Sequence, residues 1–181
     1  MQPTLESVFD QAWNILNHTI SRKSSKGAVA LATVDPKSQP QVCLVVLRAI
    51  DRRQGLLEFH TDADSLKCKS LLNNPKAQIL IWRPDLLVQL RISIQIRLCQ
   101  SMKSKNLWKK VPKSSRISYG KAPPTGTKLH SPFDYKTMLC EKNFVVAECD
   151  LWQVDFLSLK ERHFRAKFCQ DSDWVGQWIS P

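Results

Sequence analysis

The chain is a small basic protein of 181 residues and 20.8 kDa, with 43% hydrophobic residues, 24% charged residues and a formal net charge of +11. A chain of this length forms one domain with a substantial core, and its composition excludes a disordered, collagen-like or membrane-bundle protein. The positive charge favours an anionic partner, which composition leaves open among nucleic acid, a membrane surface and a small phosphorylated molecule.

The N-terminal segment has the periodicity of an amphipathic helix. Apolar residues recur there at steps of three and four: Leu5, Val8, Phe9, Ala12, Trp13 and Leu16. This spacing predicts one apolar helix face, followed by a turn in "SRKSSKG". Because acidic residues come early and no apolar run approaches the ~18 residues of a membrane helix, we expect a cytoplasmic protein without a membrane partner.

Strand patterns follow the helix. The apolar runs "AVALATV", "QVCLVVLRAI" and "LLEFHT" are separated by the turns "DPKSQP" and "DRRQG", which is typical of an antiparallel meander. A second helix is predicted at about residues 64–73, because Asn73, Asn74 and Pro75 end helical hydrogen bonding there. Two more strands are predicted in "KAQILIWRP" and "LLVQLRISIQIRLCQ".

The last third of the chain loses and then regains strand character. Residues 102–142 combine helical pieces with a proline- and threonine-rich loop, and strand patterns return in "NFVVAECDLWQVDFLSL", "RHFRAKFC" and "DWVGQWISP". About eight strands without strand–helix alternation are best protected by closure into a barrel. We therefore predict a mainly β fold with peripheral helices, an antiparallel barrel of roughly six to eight strands. It forms one domain over residues 1–181, with residues 1–26 as N-terminal helix and linker and residues 102–142 as an insertion.

Cysteine and histidine spacing argues against a metal centre. The six cysteines contain no C-x-x-C pair and the four histidines no H-x-x-x-H pair. Structural zinc sites use such close pairs, so we expect buried free thiols and no bound metal. No side chain is assigned a catalytic role.

One constellation around "FHTDADSLKCKSLLNNP" has the chemistry to hold a phosphate. Arg48 ends one apolar strand, and Thr61, Ser65 and Lys67 lie between the next strand and the first turn of the helix. If the two strands are neighbours, these charges and hydroxyls converge with the free N–H groups of a helix N-terminus. The alternative is an ordinary helix start that is capped by Asp62 or Ser65.

The order of these motifs resembles the pyridoxamine 5'-phosphate oxidase-like flavoproteins, in particular their smaller flavin-binding branch. The matching motifs are the strand that ends in a base, "FHTDADSLK", "LLNNPKAQILIW", "VQLRI", and the final strands "WQVDFLSLKERHFRAKF" and "DWVGQWISP". The resemblance covers residues 27–181. It implies a split β-barrel of the FMN-binding type, a homodimer with FMN in the groove between its subunits, and oxidoreductase activity on a small molecule.

The resemblance also implies which residues contact the cofactor. Arg48 matches the base that closes the family's second strand, and Thr61 matches a threonine at the phosphate or flavin edge. Lys67 matches the lysine of an S-R-K motif, and Gln89 a glutamine that contacts the ring. Ser115 and Arg116 stand where the family has S-Q, contributed across the dimer, and Lys167 stands on a late arginine. The implied cofactor-binding set is Arg48, Thr61, Ser65, Lys67, Gln89, Ser115, Arg116 and Lys167.

Several departures from the family pattern leave the substrate open. Cys43 and Leu66 replace arginines expected at the cofactor phosphate. Leu107 and Val111 stand where the oxidases carry a tyrosine and an arginine that hold the substrate phosphate. The family's late R-x-H pair is reversed to "HFR" at 163–165.

Three functions remain open from the sequence. The first is an FMN-dependent oxidoreductase with an unidentified small substrate. The second is a non-catalytic relative that keeps the dimeric barrel and binds another anion or a protein partner. Nucleic-acid binding ranks last, because the positive charge is spread along the chain and no helix-turn-helix, zinc-finger or RNP-like motif is present.

Overall fold

The computed structural model describes residues 2–21 and 28–181, so the linker predicted after the N-terminal helix lies outside the described residues. The helices are α1 (Leu5–Ser21), α2 (Leu66–Asn73), α3 (Met102–Lys110) and α4 (Lys113–Arg116), with 3-10 turns at Glu141–Asn143 and Gln170–Ser172. The strands are β1 (Ala28–Val34), β2 (Pro40–Asp51), β3 (Leu56–Asp62), β4 (Lys76–Arg83), β5 (Val88–Cys99), β6 (Lys121–Ala122), β7 (Lys136–Thr137), β8 (Phe144–Ser158), β9 (Phe164–Cys169) and β10 (Gly176–Ile179).

In the described ranges, six of these strands close into an antiparallel barrel. β1 pairs with β2 and β4, β3 with β2 and β8, and β5 with β4 and β8. The 15-residue strand β8 also pairs with β9 through its second half, and β10 continues the sheet from β9. The predicted mainly β fold, a barrel with peripheral helices, is confirmed.

Side-chain alternation fills the barrel interior. In β1, for example, Val29 and Leu31 are buried, whereas Ala28 and Ala32 are exposed. The apolar face of α1 covers part of the barrel through contacts with β2, β8, β9 and β10. The predicted apolar face of α1 is therefore part of the core, where Trp13 is only 2% exposed.

The predicted insertion divides into two parts. Residues 102–120, here called the arm, carry α3 and α4, and residues 121–137, here called the strap, run from β6 to β7. The arm packs on β8 through a second apolar cluster made of Trp108, Tyr119, Phe144 and Val146. The aromatic rings of this cluster meet edge to face, with the Tyr119 and Phe144 centroids 5.2 Å apart.

A bulge in β2 sets the direction of one predicted site residue. The β2–β3 register shifts between Leu47 and Ala49, so Arg48 has no partner residue on β3. A bulge turns its extra residue out of the regular alternation. Arg48 is exposed beside the arm as a result.

Four large apolar side chains are exposed together on the outer surface of the barrel. Val42 and Leu44 of β2 are 72% and 73% exposed, and Leu80 and Trp82 of β4 are 40% and 46% exposed. Ala30 lies opposite both Leu44 and Leu80, so a small residue connects the two strands in one row. These four side chains are here called the outer patch, and contiguous exposed apolar surface of this kind marks an interaction site.

The cysteines and the helices bear on two expectations, free thiols and the lack of a membrane-spanning segment. All six cysteines are free, and Cys68 and Cys149 are buried. None of the helices in the described ranges has the length and hydropathy required to cross a bilayer.

Candidate functional site

The end of β3 and the start of α2 bring three of the predicted residues together. Thr61 and Ser65 are buried, and Lys67 is half-buried. The Lys67 Nζ donates to Thr61 Oγ1 at 3.1 Å, and the Thr61 and Ser65 hydroxyl oxygens are 3.4 Å apart. We call these three residues the phosphate corner. None of the ion pairs between described residues involves Lys67, so its charge is not neutralised by a carboxylate.

Neither Asp62 nor Ser65 caps α2 through its side chain. Ser65 is the N-cap residue of α2, but its side chain makes no capping hydrogen bond. Asp62 instead accepts hydrogen bonds from the backbone N–H of Asp64 at 2.8 Å and of Gly120 at 2.6 Å. The carboxylate of Asp62 therefore ties the arm to the end of β3.

A cavity of about 220 Å³ lies next to the phosphate corner, between β2, β3 and the arm. We call it the basic cavity. Its lining residues are Arg48, His60, Leu107, Lys110, Val111, Pro112, Ser115 and Tyr119. Burial raises the pKa of Tyr119, although the nearby Arg48 acts in the opposite direction. The Tyr119 phenol therefore stays neutral and can donate a hydrogen bond into the cavity.

The predicted convergence of Arg48 with the phosphate corner is met only in part. Arg48 and Ser115 line the basic cavity, whereas Lys67 bonds within the phosphate corner. The two groups are neighbours, because Asp62 at the end of β3 binds Gly120 beside the cavity residue Tyr119.

His60 lies in the wall of the basic cavity. His60 Nε2 is 3.0 Å from Glu58 Oε1, and the two side chains are only 11% and 12% exposed. Lys103 bridges Glu58 and Glu148 at 2.7 Å each. The hydrogen bond from His60 lowers the pKa of Glu58; burial opposes this effect and Lys103 adds to it. The i, i+2 spacing of Glu58 and His60 was visible in the sequence, but their shielding by α3 was not.

Gln89 lies on the outer surface of the barrel, at the border of the outer patch. It is half-buried and pairs with Trp82 on β4 and Leu157 on β8. Leu157 in turn lies opposite Arg165 on β9. Gln89 therefore lies between the apolar outer patch and the charged side chain of Arg165.

Lys167 lies in the adjacent row, opposite Asp155. The buried Asp155 carboxylate accepts hydrogen bonds from Arg91 at 2.6 Å and from Arg165 at 2.9 and 2.8 Å. These contacts hold Arg165 at the surface, in the same row as Gln89. The sequence assigned the cofactor contact to Lys167, and the ion pairs of Arg165 became visible only with the fold.

Arg116 performs a structural task within the arm. Its guanidinium donates to the carbonyl oxygens of Val111 and Trp108 at 3.1 Å each, and it lies 4.7 Å from the centre of the Trp108 ring. The Val111 N–H also donates to the Trp108 carbonyl at 3.0 Å, so Arg116 is a second donor to that carbonyl at the end of α3. A contact of Arg116 with a cofactor stays a prediction.

Comparison with known sequences identifies the same family as the sequence motifs do. The profile described as "Pyridoxamine 5'-phosphate oxidase, FMN-binding domain" matches residues 9–100, about half of the chain. A pyridoxine/pyridoxamine 5'-phosphate oxidase of Acinetobacter baumannii is 30% identical over 104 residues, which are 58% of this chain and 47% of that enzyme. The corresponding enzyme of Brucella anthropi is 33% identical over 97 residues, 54% of this chain and 47% of that one. The chain thus spans about half the length of the curated relatives it matches.

Solved structures share the fold over nearly the whole chain. A pyridoxamine 5'-phosphate oxidase-related, FMN-binding protein of Nostoc punctiforme superposes with a TM-score of 0.75 at 23% identity, covering 95% of this chain and 96% of that one. PhzG of Burkholderia lata, solved with tetrahydrophenazine-1-carboxylic acid, gives a TM-score of 0.73 at 18% identity, covering 99% and 94%. Together with the profile match, this places the chain in the pyridoxamine 5'-phosphate oxidase family, as a diverged member built on its FMN-binding domain.

Proposed function

We propose that the protein is a cytoplasmic FMN-dependent oxidoreductase, active as a homodimer that holds FMN between its two copies and acts on a small molecule. The observation that carries the proposal is the phosphate corner: a half-buried Lys67 that has no carboxylate partner in the described part of the chain, beside two hydroxyls at the start of a helix. The free cysteines agree with a reducing compartment.

The residues of the phosphate corner fit the phosphate of FMN. Lys67 supplies a positive charge, Thr61 and Ser65 supply hydroxyl donors, and the first N–H groups of α2 have no side-chain cap. Charge-assisted hydrogen bonds and a helix N-terminus both favour a phosphate group. FMN would supply the exchange of electrons, whereas the protein positions the cofactor and shields it.

The outer patch supports the homodimer. Val42 and Leu44 of β2 are 72% and 73% exposed, and a second copy of the same surface would remove these apolar side chains from water. Gln89 lies at the border of this patch, and Arg165 lies two strands farther along the same row. An FMN ring at that border would contact Gln89 of one copy and the arm of the other.

The two departures at the phosphate have structural explanations. A Cβ on Gly126 of the strap would lie 3.1 Å from Leu66, so Leu66 supports the strap rather than the cofactor. Cys43 is half-buried and packs against the core. These losses of positive charge favour a second candidate, a non-catalytic dimer of the same fold that binds another anion or a protein partner.

A flavin spectrum separates the two candidates. Protein purified under native conditions is titrated with FMN while the absorbance and the quenching of flavin fluorescence are recorded. The oxidoreductase takes up one FMN per chain with low micromolar affinity. Colourless protein that leaves FMN fluorescence unchanged contradicts the proposal and supports the second candidate.

A further inference from the structure

Positive charge is concentrated in one segment, so the expected spread of charge along the chain is wrong. Residues 86–133 contain ten basic residues and no acidic residue, whereas the whole chain contains 27 basic and 16 acidic residues. This segment therefore holds nearly all of the net charge of +11. It runs from the start of β5 through the arm into the strap.

Half of these basic side chains have a partner inside the fold. Arg91, Arg97 and Lys103 form ion pairs with carboxylates of β3 and β8. Arg116 and Lys121 donate to backbone carbonyl groups of the arm. The other five are exposed lysines that belong to none of the ion pairs between described residues: Lys105, Lys109, Lys110, Lys113 and Lys128.

The geometry of α3 directs two of these lysines away from the basic cavity. Lys105 and Lys109 are four positions apart, so they share one face of the helix. Leu107, halfway between them in the sequence, lies on the opposite side of the helix, where it lines the basic cavity. Lys110 lines that cavity as well. We call the remaining four residues the lysine surface: Lys105, Lys109, Lys113 and Lys128.

A cavity of about 580 Å³ at the start of α3 continues the lysine surface. Lys105 and Lys142 line this cavity, and Glu141 is the one carboxylate among its described lining residues. Neighbouring lysines on one helix face repel each other and destabilise the helix. The lysine surface therefore does not serve the stability of the arm, whereas an anionic partner would offset the repulsion.

The neighbouring side chains favour nucleic acid over a membrane as that partner. Peripheral helices bind membranes through an exposed apolar face, but Leu107 and Trp108 of α3 pack in the apolar cluster between the arm and β8. The strap instead exposes aromatic rings, since Phe133 is 82% exposed and Tyr135 is 41% exposed. Proteins that bind single-stranded nucleic acid combine positive charge for the backbone with aromatic rings on which bases stack.

We propose that the lysine surface and Phe133 bind single-stranded nucleic acid, with the lysines on its phosphates and a base stacked on Phe133. Lysine contacts to phosphates release counterions, so binding depends steeply on salt. Stacking on Phe133 adds affinity that a polyanion without bases does not gain. The inference is independent of the proposed function, because no residue of the phosphate corner or of the basic cavity takes part.

Fluorescence anisotropy of labelled oligouridylate and oligothymidylate, titrated with the full chain, measures this binding. Four lysine–phosphate contacts on a single strand predict that the dissociation constant rises about 50-fold between about 50 and 200 mM salt. In Lys109→Ala/Lys113→Ala the rise should be only about sevenfold. Lys37→Ala/Lys160→Ala is the matched control, because it removes the same charge from two exposed lysines between strands. Lack of binding at the lower salt concentration, or an equal effect of the two double variants, overturns the inference.

Phe133→Ala separates nucleic acid from other anionic partners. Because the ring is mostly exposed, its removal leaves the fold intact. The affinity for the oligonucleotides should fall at least about fivefold through the lost stacking, and the affinity for heparin should stay unchanged. Vesicles that contain phosphatidylserine should bind more weakly than the oligonucleotides.

Two results of this second experiment would overturn the proposal: wild-type affinity of Phe133→Ala for both oligonucleotides, or tighter binding of the wild type to the vesicles. Oligonucleotide binding by protein that takes up no FMN supports the inference while it contradicts the proposed function.

Discussion

We predict that FMN binding depends most on Lys67, because Leu66 supplies no charge at the neighbouring position. Its ammonium group bonds only to a hydroxyl of the phosphate corner in the described part of the chain. A phosphate group would therefore gain a charge-assisted hydrogen bond without displacing a carboxylate.

Lys67→Ala should raise the FMN dissociation constant about 10- to 100-fold, since a hydrogen bond to a charged group contributes about 1.5–3 kcal/mol. Flavin fluorescence quenching measures this change. Lys69→Ala is the matched control, because Lys69 is an exposed lysine on the same helix. Equal affinity of the two variants would place the phosphate elsewhere.

The phosphate corner could be predicted from the sequence, because the proximity of its three residues follows from local order. Thr61, Ser65 and Lys67 lie within seven positions of one strand–helix junction, and the fold brings them together. The pair of His60 and Glu58 is different, because Lys103 contacts Glu58 from another element, α3. No local pattern encodes that contact, so this part of the site could not be predicted.

The arm illustrates how one side chain fixes an element. Arg116 closes the end of α3 by donating to the carbonyl oxygens of Trp108 and Val111, and its guanidinium lies over the Trp108 ring. The basic cavity keeps its shape only while the arm stays docked.

Arg116→Ala should lower the free energy of unfolding by about 1–3 kcal/mol, since it removes the side-chain donor to the Val111 and Trp108 carbonyl groups and a cation–π contact. Urea denaturation measures the change. Lys113→Ala, on the exposed side of α4, serves as the control and should stay within about 0.5 kcal/mol of the wild type. A similar loss in both variants would show that charge, rather than the Arg116 bonds, holds the arm.

The ion pairs of Lys103 predict a dependence of stability on pH. The pKa of Glu58 is lowered by His60 and Lys103, and the pKa of Glu148 by Lys103 first. A lowered folded-state pKa stabilises the protein above the ordinary glutamate range, and this contribution is lost as the pH falls through the lowered pKa.

Lys103→Met should therefore reduce the loss of stability on acidification, because the two glutamates then titrate closer to their ordinary range. Urea unfolding at pH 7 and at about pH 4 measures the difference. Lys105→Met is the control, because Lys105 is an exposed lysine two residues farther along α3. This variant should keep the wild-type pH dependence of stability. If stability changes equally between the two pH values in all three proteins, Lys103 has no such effect.

At the scale of the whole molecule, we propose that the outer patch forms the contact between two copies of the chain. Leu44→Lys places a charge in the centre of that patch and should convert the dimer to a monomer, which light scattering after gel filtration detects. Because the proposed FMN groove lies between two copies, FMN uptake should fall with it. Leu72→Lys provides the control, since Leu72 is 77% exposed on α2 and lies outside the patch. A monomeric wild-type protein that still binds FMN tightly would contradict the two-copy site.

Most of the architecture was predictable because it follows from local periodicity. The apolar face of α1, the strand–turn pattern of β1 to β3 and the end of α2 at Pro75 all agree with the structure within a few residues. The position of Arg48 could not be predicted, because it depends on a one-residue bulge that leaves Arg48 in the cavity wall beside the arm. The arrangement of side chains on the outer surface of the barrel could not be predicted either, since its rows join strands that are distant in the sequence.

The hydrogen bonds of Asp62 bear on the order in which the molecule assembles. Its carboxylate binds Gly120, which lies 58 positions along the chain, and Asn143 donates to the neighbouring Asp64 at 2.6 Å. We therefore expect the arm to dock after β3 has formed, and the turn at Glu141–Asn143 binds at the same point. The amide hydrogen of Gly120 should exchange with solvent more readily than those of the barrel strands, and Asp62→Asn should increase its exchange rate at least tenfold without altering exchange in β4 and β5.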